Sequence, residues 1–240
     1  MKIALIGYGK MGKAIEALAV SAGHDVSFRI TSANVSDIDQ IDKSNTDVVI
    51  EFTTPSTVVG NIKKVISKGL PIVVGTTAWE DLKVEIDNFV SEHKGAMISA
   101  SNFSIGVNLF WSMNKRLATL MNDYPQYDVS MMEAHHLAKL DSPSGTAVTT
   151  ANQIIENNDL KSTWKECHKG SSNELLINTI RQPEVKGTHL VKYASDVDDI
   201  ELKHVAKSRD GFAKGAIIAA GWLIGKQGVF GMEEVLGLNS

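Results

Sequence analysis

The densest cluster of chemically active side chains in this sequence is the run 133–147, which reads EAHHLAKLDSPSGTA. It holds two adjacent histidines, a lysine and a Ser-Gly-Thr sequence. A histidine needs only a small environmental shift to act as a general acid near neutral pH, so His135 or His136 could donate a proton. Lys139 would add a full positive charge nearby. The run therefore predicts a site that protonates and holds a small anionic molecule.

The end of this run carries the features of a helix start. We predict that Ser144 is the N-cap, because a serine hydroxyl can accept a hydrogen bond from a backbone N–H of the first turn. The amides of Gly145 and Thr146 would then point outward as donors, and the Thr146 hydroxyl would reinforce them. Such a helix start is suited to binding a carboxylate group.

Three other interpretations of the run stay open. The paired histidines could bind a metal ion, but adjacent residues tend to point apart and no further His or Cys stands at ligand spacing, so we expect no metal site. Ser144 could be a nucleophile, but the GxSxG elbow of the serine hydrolases is absent. The run could also be a solvated loop followed by a capped helix.

A second motif lies near the N-terminus and has the pattern GxGxxG. Its members are Gly7, Tyr8, Gly9, Lys10, Met11 and Gly12. It follows a predicted strand and opens a predicted helix, and in that context the glycines permit a tight turn and the close approach of a pyrophosphate. The alternative is that the glycines only let the strand and the helix pack tightly. The position of the motif within repeated βα units favours a dinucleotide site.

Three later loops are small and rich in hydroxyl groups, and each follows a predicted strand. Ligands of open parallel sheets bind beyond the carboxyl ends of the strands, so these loops should line the same crevice. The loop after the third strand is Phe52–Pro55. The other two supply further predicted cofactor-binding residues, namely Gly75, Thr76, Thr77, Ala100, Ser101, Asn102 and Phe103. The alternative is that their hydroxyl groups only cap helices.

The end of the second predicted strand indicates which nucleotide binds. An NAD-specific site usually places an acid there to accept from the ribose 2′-hydroxyl. Here the strand ends with Arg29, Ile30, Thr31 and Ser32, and no acid follows until Asp37. Such a site should tolerate a 2′-phosphate, with Thr31, Ser32 or Arg29 as partners. We therefore predict that NADPH is used at least as well as NADH, and we count Thr31 among the cofactor-binding residues.

These side chains must be positioned by regular elements, and the first hundred residues repeat one βα unit. A short apolar run ends in a Gly, Thr or Ser loop, and apolar residues then recur at helical spacing. The runs do not alternate with polar residues, as expected for strands covered on both faces, so they predict a parallel sheet of the Rossmann type. The predicted strands are Ile3–Ile6, Val26–Ile30, Val48–Phe52, Ile72–Val74 and Met97–Ala100.

From about residue 104 the pattern changes to that of a second, α+β domain. We expect helices over Val107–Met121 and from Ser144 to about Asn157, with a strand over Asp128–Ala134 between them. Further strand-like runs lie close together with turn residues between them, which favours an open, mostly antiparallel sheet. These runs are Leu175–Arg181, Thr188–Ala194 and Ile200–Lys207. An Ala-rich apolar helix over Phe212–Ile224 could return the chain to the first domain. The predicted fold class is α/β.

The composition excludes several other classes of protein. With 43% hydrophobic and 22% charged residues and a net charge of −4 over 240 residues, the chain is an ordinary globular protein for which we expect no nucleic-acid partner. The single cysteine, Cys167, requires no oxidising compartment. The sequence has neither a signal-peptide pattern nor a run of about 18 apolar residues, so we expect no membrane segment and a cytoplasmic location.

Together these residues resemble the signature of the dihydrodipicolinate reductase family, also called the 4-hydroxy-tetrahydrodipicolinate reductase family. The long run from Glu133 to Thr146 carries most of the resemblance, and the matching segments extend it over nearly the whole chain. They are the N-terminal glycine loop, Gly75-Thr76-Thr77, Ser101–Asn108, Gly187-Thr188-His189, Ser208-Arg209 and Phe212–Ala216.

The resemblance implies a fold, an activity and an assembly. The fold is a dinucleotide-binding Rossmann domain built from both ends of the chain, here 1–103 and 212–240. A substrate-binding and oligomerisation domain, here 104–211, closes over it, and the family usually forms a homotetramer. The activity is the NADPH- or NADH-dependent reduction of 4-hydroxy-tetrahydrodipicolinate, a cyclic dicarboxylate, to tetrahydrodipicolinate in diaminopimelate and lysine biosynthesis.

The resemblance also implies the roles of individual residues. His135 would be the proton donor or acceptor and Lys139 the second catalytic donor. The substrate carboxylates would be bound by His136, Gly145 and Thr146. Two departures from the family stand out, because the ribose-binding acid is missing and the stretch 157–173 is short.

Other functions stay open beside the reductase. A non-catalytic redox sensor or regulatory protein could keep the same fold and the same dinucleotide site. Among enzymes, a semialdehyde or homoserine dehydrogenase is the nearest rival. The absence of a cysteine beside the catalytic run argues against the thiol-dependent kind.

Overall fold

The helices and strands are known from a computed structural model that describes residues 1–208 and 210–238. The strands, in chain order, are β1 (Lys2–Ile6), β2 (Asp25–Ile30), β3 (Val48–Glu51), β4 (Ile72–Val74), β5 (Ala96–Ser99), β6 (Asp128–His135), β7 (Thr163–Glu166), β8 (Glu174–Arg181), β9 (Thr188–Ala194), β10 (Asp199–Val205) and β11 (Gly228–Phe230). The α-helices are α1 (Lys10–Ser21), α2 (Pro55–Ser67), α3 (Lys83–Glu92), α4 (Ile105–Leu120), α5 (Gly145–Asn157), α6 (Asp210–Leu223) and α7 (Met232–Leu236). Arg209, one of the family-like residues, lies outside the described residues, as do Asn239 and Ser240.

These elements divide into two compact units. The first unit consists of Met1–Ile105 and the segment that begins at Asp210, and the second runs from Gly106 to residue 208. The first unit is built on a parallel sheet with the strand order β11-β5-β4-β3-β1-β2. The predicted parallel sheet is therefore confirmed, and the C-terminal strand β11, which the sequence pattern did not reveal, extends it beside β5.

The two faces of this sheet explain why its central strands are mostly apolar. Alternate residues of β1 point to opposite faces, so Ile3 and Leu5 pack in one core with α1 and α6. Ala4 and Ile6 pack in the other core with α2 and α3. Because both faces are buried, neither set of side chains can be polar.

The order of these strands reverses between β1 and β3. In sheets of this kind, a ligand binds at such a switch point, beyond the carboxyl ends of the two strands. The loop after β1 carries the glycine motif and the loop after β3 begins with Phe52. The fold therefore places two of the predicted cofactor loops side by side.

The second unit has a sheet with the strand order β10-β9-β6-β8-β7. Strands β6, β9 and β10 pair antiparallel, but β8 lies parallel to β6 and β7 lies parallel to β8. The sheet is therefore mixed, rather than mostly antiparallel as expected. The reason is that α5 carries the chain back between β6 and β7, and the loop 167–173 carries it back again between β7 and β8, so all three strands run in the same direction. The pattern also missed β7, whose sequence TWKE is largely polar.

Helices α4 and α5 cover one face of this mixed sheet. Their apolar side chains, such as Trp111 and Ile154, pack on inward-facing strand residues such as Ile177 and Tyr193. Of the helices that the structure describes, none is long and apolar enough to cross a lipid bilayer.

Candidate active site

The glycine motif forms a tight turn that admits no side chain at two of its positions. Gly7 has φ +96°, and a Cβ there would lie 1.9 Å from the carbonyl oxygen of Phe52. A Cβ on Gly12 would lie 2.6 Å from the carbonyl oxygen of Gly7. Gly9 is different, because a Cβ there would project into open space. Gly7 and Gly12 therefore shape the turn, and Gly9 keeps its outer side clear for the close approach of a ligand.

The turn leads directly into α1, whose N-cap is Gly9. No side chain among the described residues caps this helix start by a hydrogen bond. Amides of the first turn and the positive end of the helix dipole are therefore directed to the space in front of Gly9. This is the arrangement that binds a phosphate group.

Two cavities of the first unit meet at this turn, and Gly7, Gly9 and Thr53 line both. One has a volume of about 620 Å³ and extends past Thr31 toward α2. The other has a volume of about 480 Å³ and extends past Thr76. Two cavities that adjoin at this turn match the two halves of a dinucleotide in number, and their volumes lie in the usual range for ligand sites.

Most of the predicted cofactor residues line these cavities. Gly7, Tyr8, Gly9 and Thr31 line the larger one. The smaller one is lined by Gly7, Gly9, Lys10, Met11, Gly75, Thr76 and Thr77. Gly12 is buried behind the turn.

The loop after β5 is less accessible than expected. Asn102 and Phe103 are buried, while Ser101 is exposed and Ala100 is half-buried. The Phe103 ring packs on Phe52, and the Phe103 carbonyl oxygen leaves no room for a side chain at Gly215 of α6. Phe103 therefore packs in the core of the first unit, and the Asn102 side chain accepts from the Ser104 backbone N–H at 2.9 Å.

A buried carboxylate, which the sequence pattern did not reveal, joins the cofactor loops. Glu51 ends β3 with its side chain fully buried. It accepts hydrogen bonds from the hydroxyl of Thr53, from the Thr76 hydroxyl at 2.7 Å and from the Asn61 amide at 3.3 Å. The Thr76 hydroxyl oxygen in turn accepts from the Thr53 backbone N–H at 2.7 Å. Burial raises the pKa of Glu51, and these donors oppose the rise.

The end of β2 shows which groups could meet the 2′-position of a ribose. Arg29 is held by Glu16, which also accepts from the Tyr8 hydroxyl, and the Arg29 guanidinium lowers the pKa of Glu16. The Thr31 backbone N–H and hydroxyl both donate to the Asn34 side chain, at 2.7 and 2.8 Å. Lys64 of α2 lines the same cavity as Thr31. Within the described lining of that cavity there is no acidic side chain.

The predicted catalytic histidine lies at the end of β6 in the second unit, beside a second buried carboxylate. The side chain of Glu133 is fully buried, and its Oε2 lies 3.3 Å from His135 Nδ1. The same oxygen accepts from the Ser144 backbone N–H at 3.1 Å. The other oxygen accepts from Arg181 Nη1 at 3.1 Å. One carboxylate thus contacts a strand end, a helix start and the neighbouring strand β8.

The hydroxyl of Ser144 caps helix α5 as predicted. Its Oγ accepts from the Ala147 backbone N–H at 3.2 Å and lies 3.2 Å from His189 Nε2. The predicted carboxylate binders follow directly, with Gly145 exposed and Thr146 half-buried in the first turn of α5. The start of α5 and His135 are therefore brought together through Glu133 and Ser144.

The charge states in this cluster follow from burial and contact. Burial acts to raise the pKa of Glu133, but the His135 imidazole and the Ser144 donors lower it to about 2. Burial and the neighbouring His135 lower the pKa of His189 to about 4. At neutral pH Glu133 is therefore ionised and His189 is neutral.

The loop after β6 carries the other predicted residues. His136 is half-buried, and its carbonyl oxygen accepts from the Lys139 backbone N–H at 3.2 Å. The Lys139 ammonium group donates to the carboxylate of Asp141 at 2.8 and 2.9 Å. Arg181 Nη2 donates to the Asp141 carbonyl oxygen at 2.9 Å and so ties the loop to β8. Lys139 is a fixed cation on a loop that Arg181 anchors.

The group of Glu133, His135 and His189 has the ligand types of a metal site, and their candidate ligand atoms lie within 4.8 Å of one another. However, Glu133 Oε2 and His189 Nε2 already contact Ser144, and Arg181 supplies a full positive charge to the carboxylate. This set of contacts is that of an internal hydrogen-bonded ion cluster.

Three members of this cluster were assigned no role from the sequence: Glu133, Arg181 and His189. The signal that could have found them is the register of the sheet, since Glu133 lies opposite His189 on β9 and His135 lies opposite Arg181 on β8. Glu133 and His135, two residues apart on β6, share a face of the sheet.

Comparison with known proteins identifies relatives over both units. Residues 1–103 match the family described as dihydrodipicolinate reductase, N-terminus, and residues 106–236 match dihydrodipicolinate reductase, C-terminus. A 4-hydroxy-tetrahydrodipicolinate reductase from Christiangramia forsetii is 42% identical over 238 residues, covering 98% of each chain. One from Neisseria meningitidis serogroup B is 35% identical over 232 residues, covering 94% of this chain and 85% of that one.

A solved structure shares the fold over most of its length. It is a dipicolinate-bound dihydrodipicolinate reductase from Paenisporosarcina sp. TG-14, with a TM-score of 0.76 and 22% sequence identity. The alignment covers 96% of this chain and 97% of that one. At this level of identity the match establishes the fold that the two chains share.

Proposed function

Since the chain belongs to the dihydrodipicolinate reductase family, we propose that it reduces 4-hydroxy-tetrahydrodipicolinate to tetrahydrodipicolinate in diaminopimelate and lysine biosynthesis. It is an oxidoreductase that uses a nicotinamide dinucleotide, which supplies a hydride from its C4 when bound. The substrate hydroxyl is lost as water in the same overall reaction. The observation that carries the proposal is the buried Glu133 and His135 pair beside the start of α5.

We propose that the first unit, 1–103 with 212–240, binds the dinucleotide and that the second, 104–211, binds the substrate. The cradle at Gly7 and Gly12, the uncapped start of α1 and the two adjoining cavities support the first assignment. The start of α5 supports the second, because its amides can bind a carboxylate of a small dicarboxylate.

His135 is the proposed proton donor and Lys139 the second catalytic donor. Hydride addition to a conjugated ring leaves electron density toward the ring nitrogen, so an acid and a fixed cation stabilise the charge that develops. His136, Gly145 and Thr146 are the proposed carboxylate binders. The fully buried Glu133 carboxylate lies 3.3 Å from His135 Nδ1 and is ionised at neutral pH.

A coupled assay with freshly generated substrate tests the function. The expected result is oxidation of the reduced nucleotide that depends on the heterocyclic substrate. The second candidate, a non-catalytic sensor of the same fold, predicts that the protein binds the nucleotide but gives no such oxidation. Turnover of a semialdehyde substrate in place of the dicarboxylate would likewise contradict the proposal.

We propose that the enzyme uses NADPH at least as well as NADH. The cavity beyond Thr31 lacks a described acidic lining residue that would repel a 2′-phosphate, and Lys64 supplies a cation. Arg29 is paired closely with Glu16, whereas Lys64 meets the exposed Asp39 only at 3.6 Å, so Lys64 is the better candidate for the phosphate.

The measurement is the Michaelis constant for each nucleotide. We expect a value for NADPH no higher than that for NADH, and we expect Lys64→Met to raise the NADPH value by about tenfold with little effect on NADH. Lys63→Met is a matched control, because Lys63 pairs with Glu85 and does not line this cavity. A much lower value for NADH in the unmodified enzyme would refute the preference.

We propose that the protein is cytoplasmic. We also propose that it forms a homotetramer through the outer face of the mixed sheet of its second unit. On that face Met132, Leu176 and Leu190 are only half-buried and line a shallow cavity of about 240 Å³. Light scattering should give the mass of four chains of 26.0 kDa each. Met132→Lys should lower that mass, and a monomeric unmodified protein would exclude the assembly.

A further inference from the structure

We propose that Glu133 is the positioning residue of the active site, holding His135 and the start of α5 in one fixed arrangement. The inference rests on the proposed function, since it concerns how His135 and the carboxylate-binding amides are aligned. It is motivated by a fully buried carboxylate that contacts three separate elements within 3.3 Å.

The first consequence concerns the orientation of the His135 ring. His135 Nδ1 is buried 3.3 Å from the Glu133 carboxylate but is not aligned for a hydrogen bond to it. Because an ionised carboxylate can only accept, its charge favours the tautomer with hydrogen on Nδ1. Nε2 is then the atom left to exchange a proton with the substrate. When Nε2 gives its proton away, the neutral ring keeps the Nδ1–H that faces Glu133, and no second proton has to move.

The backbone around Nε2 fits this orientation. A Cβ on Gly187 would lie 3.2 Å from His135 Nε2, a tight contact that the ring could keep only by shifting slightly. Gly187 therefore keeps side-chain atoms away from the nitrogen that faces away from Glu133. The two ring nitrogens of His135 therefore have different surroundings: Nδ1 lies beside the Glu133 carboxylate, and Nε2 lies near Gly187.

The second consequence concerns the substrate-binding helix. The oxygen that faces His135 also accepts from the Ser144 backbone N–H, and Ser144 is the N-cap directly before Gly145 and Thr146. A shift of this carboxylate would therefore move the proton donor and the carboxylate-binding amides together. Reacting groups must be held to within a fraction of an ångström, so this shared acceptor has a direct effect on rate.

Arg181 completes the arrangement by compensating the buried charge. It donates to Glu133 Oε1 and to the Asp141 carbonyl oxygen, so the same guanidinium fixes the loop that carries Lys139. A buried carboxylate without such a partner would be strongly destabilising. Arg181 therefore links the carboxylate beside His135 to the loop that carries Lys139.

The test compares Glu133→Gln with a matched control, Glu166→Gln. Glu166 is also a carboxylate of this sheet and accepts from Ser142 and Thr179 at 2.6 Å, but the structure gives it no contact with His135. We expect Glu133→Gln to lower kcat by about 10- to 100-fold, with the dissociation constant for NADPH unchanged. Glu166→Gln should leave kcat within about twofold. Glu133→Asp, which keeps the charge, should recover part of the lost rate.

A spectroscopic readout separates positioning from a general loss of structure. In full-length enzyme with ¹⁵N-labelled histidine, the His135 signal is assigned by its disappearance in His135→Ala. We expect His135 to carry hydrogen on Nδ1 in the unmodified enzyme and in Glu166→Gln, and to lose that preference in Glu133→Gln. This measurement needs no turnover. Where Glu133→Gln fails to fold, the spectrum of the unmodified enzyme still tests the predicted tautomer, and Glu133→Asp replaces it in the rate comparison.

Two results would overturn the role of Glu133. One is an unmodified enzyme whose neutral His135 carries hydrogen only on Nε2, and the other is a folded Glu133→Gln variant with unchanged kcat. An unmodified enzyme that binds NADPH but lacks turnover would instead overturn the proposed function, so the two failures are distinguishable.

Discussion

Replacing His135 with alanine is expected to lower kcat by about 10²- to 10⁴-fold, the usual effect of losing a general acid or base. The His135 imidazole lies between the buried Glu133 carboxylate, 3.3 Å from its Nδ1, and Gly187, which is near its Nε2. Among the described residues, no other side chain occupies this position. His189, the nearest other histidine, is neutral at neutral pH and contacts Ser144. It is therefore a poor replacement as an acid.

Lys139→Ala belongs to the same prediction and should lower kcat over the same range, about 10²- to 10⁴-fold. Removing the ammonium group also leaves the Asp141 carboxylate without its partner, and that charge would repel an anionic substrate. Steady-state rates and the dissociation constant for NADPH are the measurements, and we expect the latter to be unchanged in both variants.

Lys165→Ala is the control for this pair of variants, since Lys165 is an exposed lysine on β7 whose ion pair is 3.9 Å long. It should behave like the unmodified enzyme. Near-normal turnover in both His135→Ala and Lys139→Ala would show that the roles are wrongly assigned.

Gly12→Val is expected to weaken NADPH binding by about 100-fold or more, because backbone atoms leave no space for the new side chain. Even its Cβ would lie 2.6 Å from the Gly7 carbonyl oxygen. The turn and the start of α1 would have to separate, and the amides that face the phosphate would lose their alignment. The quenching or enhancement of nucleotide fluorescence on binding measures the effect.

Gly221→Ala provides the matched control for this substitution. Gly221 lies in α6, and a Cβ there meets nothing within 4 Å, so alanine should keep full affinity. A thermal unfolding curve with a normal midpoint would show that Gly12→Val has kept its fold. A folded Gly12→Val protein with unchanged affinity would mean that the glycine cradle does not hold the nucleotide.

The parallel sheet could be predicted because each of its strands carries its own signal. Ile3 and Leu5 face one core and Ala4 and Ile6 the other, so burial on both faces is already visible as an unbroken apolar run. The GxGxxG spacing and the serine N-cap of α5 are local features in the same sense. Such features are determined by neighbours in the sequence.

The mixed sheet and the buried carboxylates could not be predicted in this way. Strand β7 has a polar sequence, and its place beside β8 depends on pairing between distant segments. Glu133 meets His189 and Arg181 through the register of three strands, which a single sequence does not reveal. Glu51 likewise gains its partners only when the loops after β3 and β4 and helix α2 converge.

The convergence at Glu51 limits how the predicted nucleotide-binding loops of this protein can be engineered. Thr53, Thr76 and Asn61 all donate to the buried Glu51 carboxylate. Replacing one of them therefore changes the hydrogen bonds that the other two make to Glu51. Effects of substitutions at such linked positions do not add. Variants changed at one of these positions would therefore give a misleading measure of the others. Libraries should vary Thr53, Thr76 and Asn61 together and keep Glu51.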